Sequence, residues 1–441
     1  MRLAEHAYAT IASIRGALLF LDGVHGARLG EAVRIVFPDG RGMAGEVLKV
    51  ERETVLIQAF GETRGLDVEN SAVVFSDALK RAPLSADCIG RVFDGSFRPI
   101  DGLPMFVPEG WVPLLGAPIN PAARAEPEEF IETGFSTIDG LNTLVKGQKL
   151  PVFSCAGLPS KEMAAAILQG SRLAGGGDFV VVFVALGLTH HDFTFYLQAL
   201  EGMKGDFVAF VNRADEPVVE RLLAPRLGLA VAEDLAFSRG MDVLVLVTDM
   251  ANYCDALREV STAREELPGR RGYPGYMYSD LASIYERAGR IKGRPGSVTM
   301  VPVVTMPEDD ITHPIPDLTG YITEGQVVLS RELHQKGIFP PVDVLPSLSR
   351  LMQHGIGEGH TRADHRRIAN LLYRTYAKGR ELRKLEAIVG REGMIEADQQ
   401  MLDLADAFEE EIVRQGLERR SIGQTLDAGL ELLRRFGVEE P

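Results

Sequence analysis

Residues 147–168, GQKLPVFSCAGLPSKEMAAAIL, have the layout of a phosphate-binding loop but lack the residues with which such a loop works. An apolar run leads into a loop of small residues and then an Ala-rich segment, which predicts strand, turn and helix. A working loop, G-x-x-x-x-G-K-[ST], offers N–H groups and a lysine to phosphate and a hydroxyl to magnesium. Where the motif has Gly-Lys-Ser/Thr, this chain has Pro159, Ser160 and Lys161. Proline has no N–H to offer, and the lysine stands one position beyond the place of the motif's lysine. The stretch predicts either an ordinary connection or a nucleotide fold that has lost its phosphate chemistry.

The candidate nucleotide site predicted from the sequence has five members, four of them in this loop. Ser154, Gly157, Ser160 and Lys161 are the loop positions that would face a nucleotide in a degenerate site, and Lys161 could still attract phosphate. Asp249 follows the apolar run DVLVLVT, where a nucleotide-binding sheet holds an acidic residue near magnesium. An Asp between a strand and a helix is also a natural helix cap, so both interpretations of Asp249 stay open. No metal site held by this chain alone is predicted.

Arg350 is the second candidate for chemistry, at the end of the segment LPSLSR. An arginine on a loop after a rigid sheet can reach into a neighbour's active site, where its planar guanidinium stabilises phosphoryl charge. A lone arginine more often forms a surface ion pair, which contributes little. The residue pattern alone leaves both interpretations open.

The pattern of residue types along the chain predicts the domains that position these residues. With 441 residues the chain is too long for one compact unit. Short β-like runs between Gly-rich turns predict a small β-barrel or sandwich over residues 1–75. A central α/β domain is predicted for residues 76–350; its first part, 76–130, is rich in Pro and Gly and is interpreted as a wrapping linker. The rest of that domain alternates strands with helices, which predicts a mostly parallel sheet.

The last part of the chain is charged and has apolar residues at a spacing of three and four, which is typical of amphipathic helices. We therefore predict a C-terminal helical domain over residues 351–441, with separate helices at 364–379 and 381–389. Gly390 and Gly416 are the predicted stops.

Composition narrows the class of function. The formal net charge of −15 argues against the basic stripe of a nucleic-acid binder and against adhesion to anionic lipid by charge alone. The three cysteines, Cys88, Cys155 and Cys254, are far apart and form no C-x-x-C pair, which favours reduced thiols in a cytoplasmic protein. The N-terminal segment has neither the pattern of a signal peptide nor the length of a spanning helix, so we expect any membrane link to pass through partners.

Five runs of sequence carry a resemblance to one family. They are 132–151 (ETGFSTIDGLNTLVKGQKLP), 248–260 (TDMANYCDALREV), 268–290 (PGRRGYPGYMYSDLASIYERAGR), 316–326 (PDLTGYITEGQ) and 345–350 (LPSLSR). The chain resembles the non-catalytic B subunits of the V-type and A-type rotary ATPases over essentially its whole length. Runs of this length are far more specific than a short motif.

The resemblance implies an N-terminal β-barrel, a central RecA-like α/β domain and a C-terminal helical domain. It also implies a peripheral membrane complex: catalytic A subunits alternate with B subunits in an A3B3 hexamer, in contact with a central and a peripheral stalk. ATP or ADP with Mg would lie at the A/B boundary, held mainly by A, and Arg350 would correspond to the arginine finger that reaches it. Such a complex couples ATP hydrolysis or synthesis to H⁺ or Na⁺ transport.

One stretch departs from the family's pattern. Family members commonly read SGSGLPHNE where this chain has SCAGLPSKE, from Ser154 to Glu162, which leaves nucleotide binding at its own loop open. Two alternatives from other classes also stay open: a self-sufficient hexameric RecA-like ATPase or helicase, and a protein that is purely a scaffold. The first would need an intact Gly-Lys-Thr, which is not visible.

Overall fold

The three-dimensional structure is a computed structural model that describes residues 6–173, 175–203 and 205–438, without the side chains of 77–79. The interpretation of the N-terminal segment falls partly on residues 1–5, which lie outside the described residues. In the described part of the chain, no helix is both long and apolar enough to cross a bilayer.

The N-terminal unit is a seven-stranded antiparallel sheet in the order β1-β7-β4-β5-β6-β3-β2. Residues on alternate positions of β4 show why it forms: Val33 and Ile35 point into the core while Arg34 is exposed. The predicted N-terminal β domain is confirmed. Its strands are β1 (His6–Tyr8), β2 (Ile11–Arg15), β3 (Leu18–Leu21), β4 (Glu31–Val36), β5 (Gly42–Glu51), β6 (Thr54–Ala59) and β7 (Ala72–Leu79).

The Pro- and Gly-rich connection that follows does more than join two units. Its strands are β8 (Arg81–Leu84), β9 (Arg91–Asp94), β10 (Gly110–Pro113) and β11 (Arg124–Ala125). The first and third pair with each other, whereas β9 lies parallel to a strand of the central sheet and becomes its edge. Part of the connection is therefore built into the central sheet.

The central sheet has the order β22-β21-β14-β20-β18-β16-β17-β9 along its main path. The strands after β11 are β12 (Phe130–Glu132), β13 (Leu144–Val145), β14 (Val152–Cys155), β15 (Arg172–Leu173), β16 (Phe179–Leu188), β17 (Phe207–Arg213), β18 (Asp242–Thr248), β19 (Gly289–Ile291), β20 (Ser297–Met306), β21 (Gly325–Leu329) and β22 (Val342–Ser349). Strands from β21 to β9 along this path run parallel, and β22 runs antiparallel to β21. The predicted mostly parallel sheet is confirmed.

Helices cover both faces of this sheet. The helices between residues 136 and 355 are α1 (Ser136–Asp139), α2 (Ser160–Gly170), α3 (His190–Glu201), α4 (Val218–Glu233), α5 (Met250–Ala263), α6 (Met277–Tyr285), α7 (Pro314–Ile322), α8 (Arg331–Gln335) and α9 (Met352–Gly355). Alternate residues of β16 enter different core layers, for example Val182 in one and Phe183 in the other. The strand is thus buried on both faces, as its continuous apolar run predicts.

The C-terminal helical domain consists of α10 (His365–Val389), α11 (Glu396–Phe408) and α12 (Ile422–Arg435). The predicted division of the first helix at residue 380 is wrong, because α10 is continuous. Gly379, the last residue of the predicted first helix, lies inside α10 where α11 packs closely, and a Cβ there would lie 2.4 Å from the Cβ of Ala405. The predicted stop at Gly390 is confirmed as the residue that follows α10, with φ +73°.

His365 joins the helical domain to the central domain through a buried hydrogen bond. Its ring is fully buried: Nε2–H donates to the Gly140 carbonyl at 3.0 Å, and Nδ1 accepts from the Thr361 hydroxyl at 3.0 Å. Burial lowers the pKa of His365, partly opposed by the hydrogen bond to Gly140. The folded chain therefore prefers the neutral ring.

We expect the start of α10 to loosen as pH falls. Because the folded pKa of His365 is below the ordinary value of about 6.5, the stability present above that value is lost as pH falls through the folded pKa. Hydrogen-exchange protection of the first turns of α10, measured from pH 8 to pH 5, checks this. His365→Gln should lower protection at pH 8 by about 1–3 kcal/mol and flatten its pH dependence, whereas His360→Gln, at an exposed position, should change neither. An unchanged slope in His365→Gln would rule out this histidine as the cause.

Candidate functional site

The phosphate-loop stretch lies where a nucleotide-binding sheet uses it, at the carboxyl ends of the parallel strands. The loop leaves β14 after Cys155 and enters α2 at Ser160, as predicted. An open pocket of about 510 Å³ lies beside the loop, between it and the ends of β16 and β18. Of the five candidate nucleotide-site residues, Gly157, Ser160, Lys161 and Asp249 line this pocket.

Ser154, the fifth candidate, does not reach the pocket. Its side chain is completely buried, and its hydroxyl donates to the carbonyl of the next residue, Cys155, at 3.1 Å. Gly157, in contrast, has φ +78° and no atom within 4 Å of an added Cβ, so the loop makes a left-handed turn at the open side of the pocket. The loop therefore turns at Gly157 beside the pocket, whereas the Ser154 hydroxyl is directed to the backbone and not to the pocket.

Lys161 already has a counter-ion. Its Nζ lies 2.8 Å from the Asp192 carboxylate in the first turn of α3, and this hydrogen bond raises the pKa of Lys161. Asp192 is itself fixed, because it accepts a hydrogen bond from the Thr189 hydroxyl at 2.8 Å. Lys161, the lysine of this loop, therefore carries a charge that a neighbouring carboxylate neutralises.

Asp249 makes the contacts of a helix cap. Its carboxylate accepts from the Ala251 N–H at 2.8 Å at the start of α5, and from the Thr305 N–H at 3.0 and 3.1 Å at the end of β20. Burial raises the pKa of the Asp249 carboxyl. The carboxylate therefore ties two adjacent strand ends together at the floor of the pocket.

A second carboxylate, Asp309, binds the loop backbone and was not predicted from the sequence. It accepts from the Ala156 N–H at 3.3 Å, and Arg331 bridges it to the loop by donating to Asp309 at 2.7 Å and to the Ala156 carbonyl at 2.9 Å. An N–H group that a phosphate loop would offer to its ligand thus bonds a side chain of the same chain. A run of three acidic residues, Glu308 to Asp310, which begins two positions after the end of a long apolar strand, is the signal that could have indicated it.

Arg350 lies at the other end of the sheet. Because β22 runs antiparallel to β21, its last residue, Ser349, pairs with Gly325, the first residue of β21. The arginine that follows is therefore at the amino ends of the parallel strands, opposite the phosphate loop. The structure does not bring Arg350 together with the other candidates.

The guanidinium of Arg350 is exposed and almost unengaged. Its backbone N–H donates to the Glu324 carbonyl at 3.0 Å, and its Nη1 donates to the Thr323 carbonyl at 3.2 Å. No carboxylate of the described residues forms an ion pair with it. The common alternative, a surface ion pair within the chain, is therefore not what the described residues form.

Two exposed apolar side chains lie two residues from Arg350 or from its hydrogen-bond partner Thr323. Leu348, two residues earlier in β22, is 50% exposed, and Tyr321 in α7, two residues before Thr323, is 74% exposed. Large apolar groups left in solvent beside a free guanidinium are typical of a surface that another chain covers.

Comparisons with known proteins agree over the whole chain. The β-barrel domain model of the ATP synthase alpha/beta family matches residues 11–77, its nucleotide-binding domain model matches 134–349, and the C-terminal domain model of V and A type ATP synthase matches 354–440. The V-type ATP synthase beta chain of Geotalea uraniireducens (strain Rf4) is 76% identical over 439 residues, which cover 100% of each chain. The chain belongs to the family of V/A-type ATP synthase B subunits.

A solved structure supports the same fold. The ATP synthase subunit NeqB from Nanoarcheaum equitans is 36% identical and has a TM-score of 0.76, over 96% of this chain and 100% of that chain. Membership in the V/A-type ATP synthase B family confirms the predicted β-barrel, central nucleotide-binding-type domain and C-terminal helical domain. It makes the chain a component of a complex whose work is ATP synthesis and ion transport, and it places the central domain among nucleotide-binding domains.

Proposed function

We propose that this protein is a non-catalytic member of its complex and supplies Arg350 in trans to an ATP that a catalytic A subunit holds. The two would alternate in an A3B3 hexamer in contact with central and peripheral stalks, peripheral to the membrane on its cytoplasmic side. Magnesium and the nucleotide phosphates would be held mainly by A. The observation that carries the proposal is the position of Arg350, exposed and without an ion pair among the described residues, at the end of the sheet opposite its own phosphate loop.

This placement supports action on another chain's nucleotide. An arginine finger must come within hydrogen-bond distance of the transferring phosphoryl group. The length of the central strands separates Arg350 from the pocket beside Gly157 and Lys161, so it serves no ligand of its own loop. The exposed Tyr321 and Leu348 give the surface around Arg350 the apolar character of an interface with another chain.

The pocket beside the phosphate loop is, in this proposal, a degenerate nucleotide site. Gly157, Ser160, Lys161 and Asp249 line it, and the buried Ser154 does not, but phosphate would compete with Asp192 for the lysine. The Glu162, Asp192 and Asp249 carboxylates also line the pocket and would repel a polyanion. Any nucleotide held there by this chain alone would therefore be bound weakly.

We expect the purified chain to show no ATP hydrolysis above background and to become part of an active enzyme only with a catalytic subunit. Steady-state phosphate release by the chain alone, and by an equimolar mixture with a partner that has an intact phosphate loop, is the measurement. Steady hydrolysis by the chain alone would favour the self-sufficient ring ATPase. If the mixture made with Arg350→Ala hydrolyses ATP as fast as the mixture made with the wild-type chain, the pure scaffold would be favoured.

A further inference from the structure

Gln148 carries a fully buried side-chain amide that lies far from the pocket beside the phosphate loop. It is part of the turn between β13 and β14, at the start of the stretch that has the layout of a phosphate loop. The backbone holds it firmly: the Met300 N–H donates to its carbonyl at 2.9 Å, which joins the turn to β20 in the centre of the sheet.

Every hydrogen-bonding group of this amide has a partner. Its Oε1 accepts from the Val145 N–H at 3.0 Å, which fixes the orientation of the amide. Its Nε2 donates to the Ser349 hydroxyl at 2.9 Å and to the Glu324 carbonyl at 3.1 Å. Burial with all partners satisfied makes such a network rigid and costly to break.

Both acceptors belong to the support of Arg350. Ser349 is the residue directly before it, and the Ser349 hydroxyl in turn donates to the Thr143 carbonyl at 2.8 Å. The Glu324 carbonyl also accepts the N–H of Arg350, at 3.0 Å. The Gln148 side chain therefore bonds both the residue that precedes Arg350, through its hydroxyl, and the carbonyl that accepts the Arg350 N–H.

The acidic side chain of Glu324 is fixed from the neighbouring position. Lys149 donates to it twice, from its backbone N–H at 2.8 Å and from its Nζ at 2.7 Å, and the lysine is only 2% exposed. The same turn thus holds Glu324 by its carboxylate and by its carbonyl. The anchor of Arg350 is part of the sheet core and not of a free loop.

We propose that Gln148 is a positioning residue for Arg350: its amide fixes the end of β22 so that the guanidinium meets the phosphoryl group in the neighbouring subunit. The inference rests on the proposed function of Arg350. Gln148, at the polar start of the phosphate-loop stretch, would thus support chemistry on the opposite side of the same protein. A displacement of about 1 Å in a catalytic group can cost on the order of 10²-fold in rate.

The test uses the complex with a catalytic subunit and the variant Gln148→Leu, which keeps the approximate volume and removes both donors. We expect kcat for ATP hydrolysis to fall roughly 10²-fold, with little change in KM because the partner holds the nucleotide. Gln148→Glu keeps an acceptor for Val145 but loses the donors, so it should show the same fall. Asn142→Leu is the matched control, since Asn142 is a buried amide of the same segment that bonds the Thr137 carbonyl and not β22; its kcat should stay within about 2-fold.

The same substitution in the R350A background separates positioning from general damage. If Gln148 acts through Arg350, Gln148→Leu should lower the residual rate of R350A by less than about 2-fold. An equal fall in both backgrounds, or a fall in Asn142→Leu as large as in Gln148→Leu, would overturn the inference and leave the role of Arg350 intact. Normal turnover by R350A alone would instead overturn the proposed function.

If Gln148→Leu does not assemble, Ser349→Ala, which removes only the partner hydroxyl, is expected to lower kcat without changing assembly, and an unchanged kcat would contradict the proposal.

Discussion

Replacing Arg350 with alanine is expected to lower ATP hydrolysis by the assembled complex roughly 10³- to 10⁵-fold, the range found for arginine fingers. The guanidinium makes one side-chain hydrogen bond, to the Thr323 carbonyl, and no ion pair within the described residues, so its loss should cost the fold little. We therefore expect normal assembly and a selective loss of kcat. Size-exclusion chromatography of the complex and steady-state phosphate release measure the two properties on one sample.

Two further variants make this result specific. Arg350→Lys keeps the positive charge but not the planar guanidinium, so we expect a rate between those of the wild type and R350A. Arg34→Ala removes an exposed arginine from the β-barrel and should leave the rate unchanged. Turnover of R350A equal to that of Arg34→Ala would be incompatible with a finger role.

The second large effect is expected from Gly325→Ala, a substitution in the strand that pairs with the end of β22. Gly325 has φ +147°, and a Cβ there would lie 2.1 Å from the Leu348 carbonyl oxygen and 3.0 Å from Cδ1 of Leu150. Because Gly325 pairs with Ser349, β22 would have to move away from β21 just before Arg350. We expect a loss of about 1–3 kcal/mol in the free energy of unfolding from the clash, with backbone strain in addition. The displacement should lower kcat on the order of 10²-fold.

Gly320→Ala provides the matched comparison. Gly320 lies in α7, five residues earlier, and nothing lies within 4 Å of an added Cβ. Alanine there should be neutral, or stabilise the helix by about 0.5–1 kcal/mol. Denaturant midpoints and kcat of both variants are the measurement, and equal values for the two would show that the end of β22 tolerates displacement.

The sequence allowed the architecture to be predicted because its signals are local or periodic. The run 179–186 is apolar without interruption, and it forms the doubly buried strand β16. The prediction of two helices, 364–379 and 381–389, failed because α10 continues through Gly379, which makes a close contact with Ala405 that no local pattern reveals. Helix continuity there depends on the packing of a second helix against the first.

Some features of the candidate site could likewise be predicted from the sequence, and others could not. The sequence could show that Pro159 and Lys161 do not complete a phosphate loop, since that depends only on residue types and their order. It could not show that Asp192, 31 residues later, neutralises Lys161, or that Asp309 accepts the Ala156 N–H across 153 residues. Partners at such separations are brought together only by the order of strands in the sheet.

The sequence by itself therefore determined membership in the B family, an incomplete phosphate loop and an arginine at the end of LPSLSR. These conclusions depend only on long matching runs and on which residue types are present, so they do not require the folded structure. Only the tertiary structure decided that Arg350 and that loop lie at opposite ends of one sheet, because the direction of β22 is a property of strand pairing. It also decided that the Gln148 amide donates to the Ser349 hydroxyl and to the Glu324 carbonyl, next to Arg350 in the fold, although about two hundred residues separate Gln148 from Arg350 in the chain. Directional hydrogen bonds from a buried turn connect Gln148 to the residues beside Arg350. The order of residue types in the sequence does not reveal such a contact.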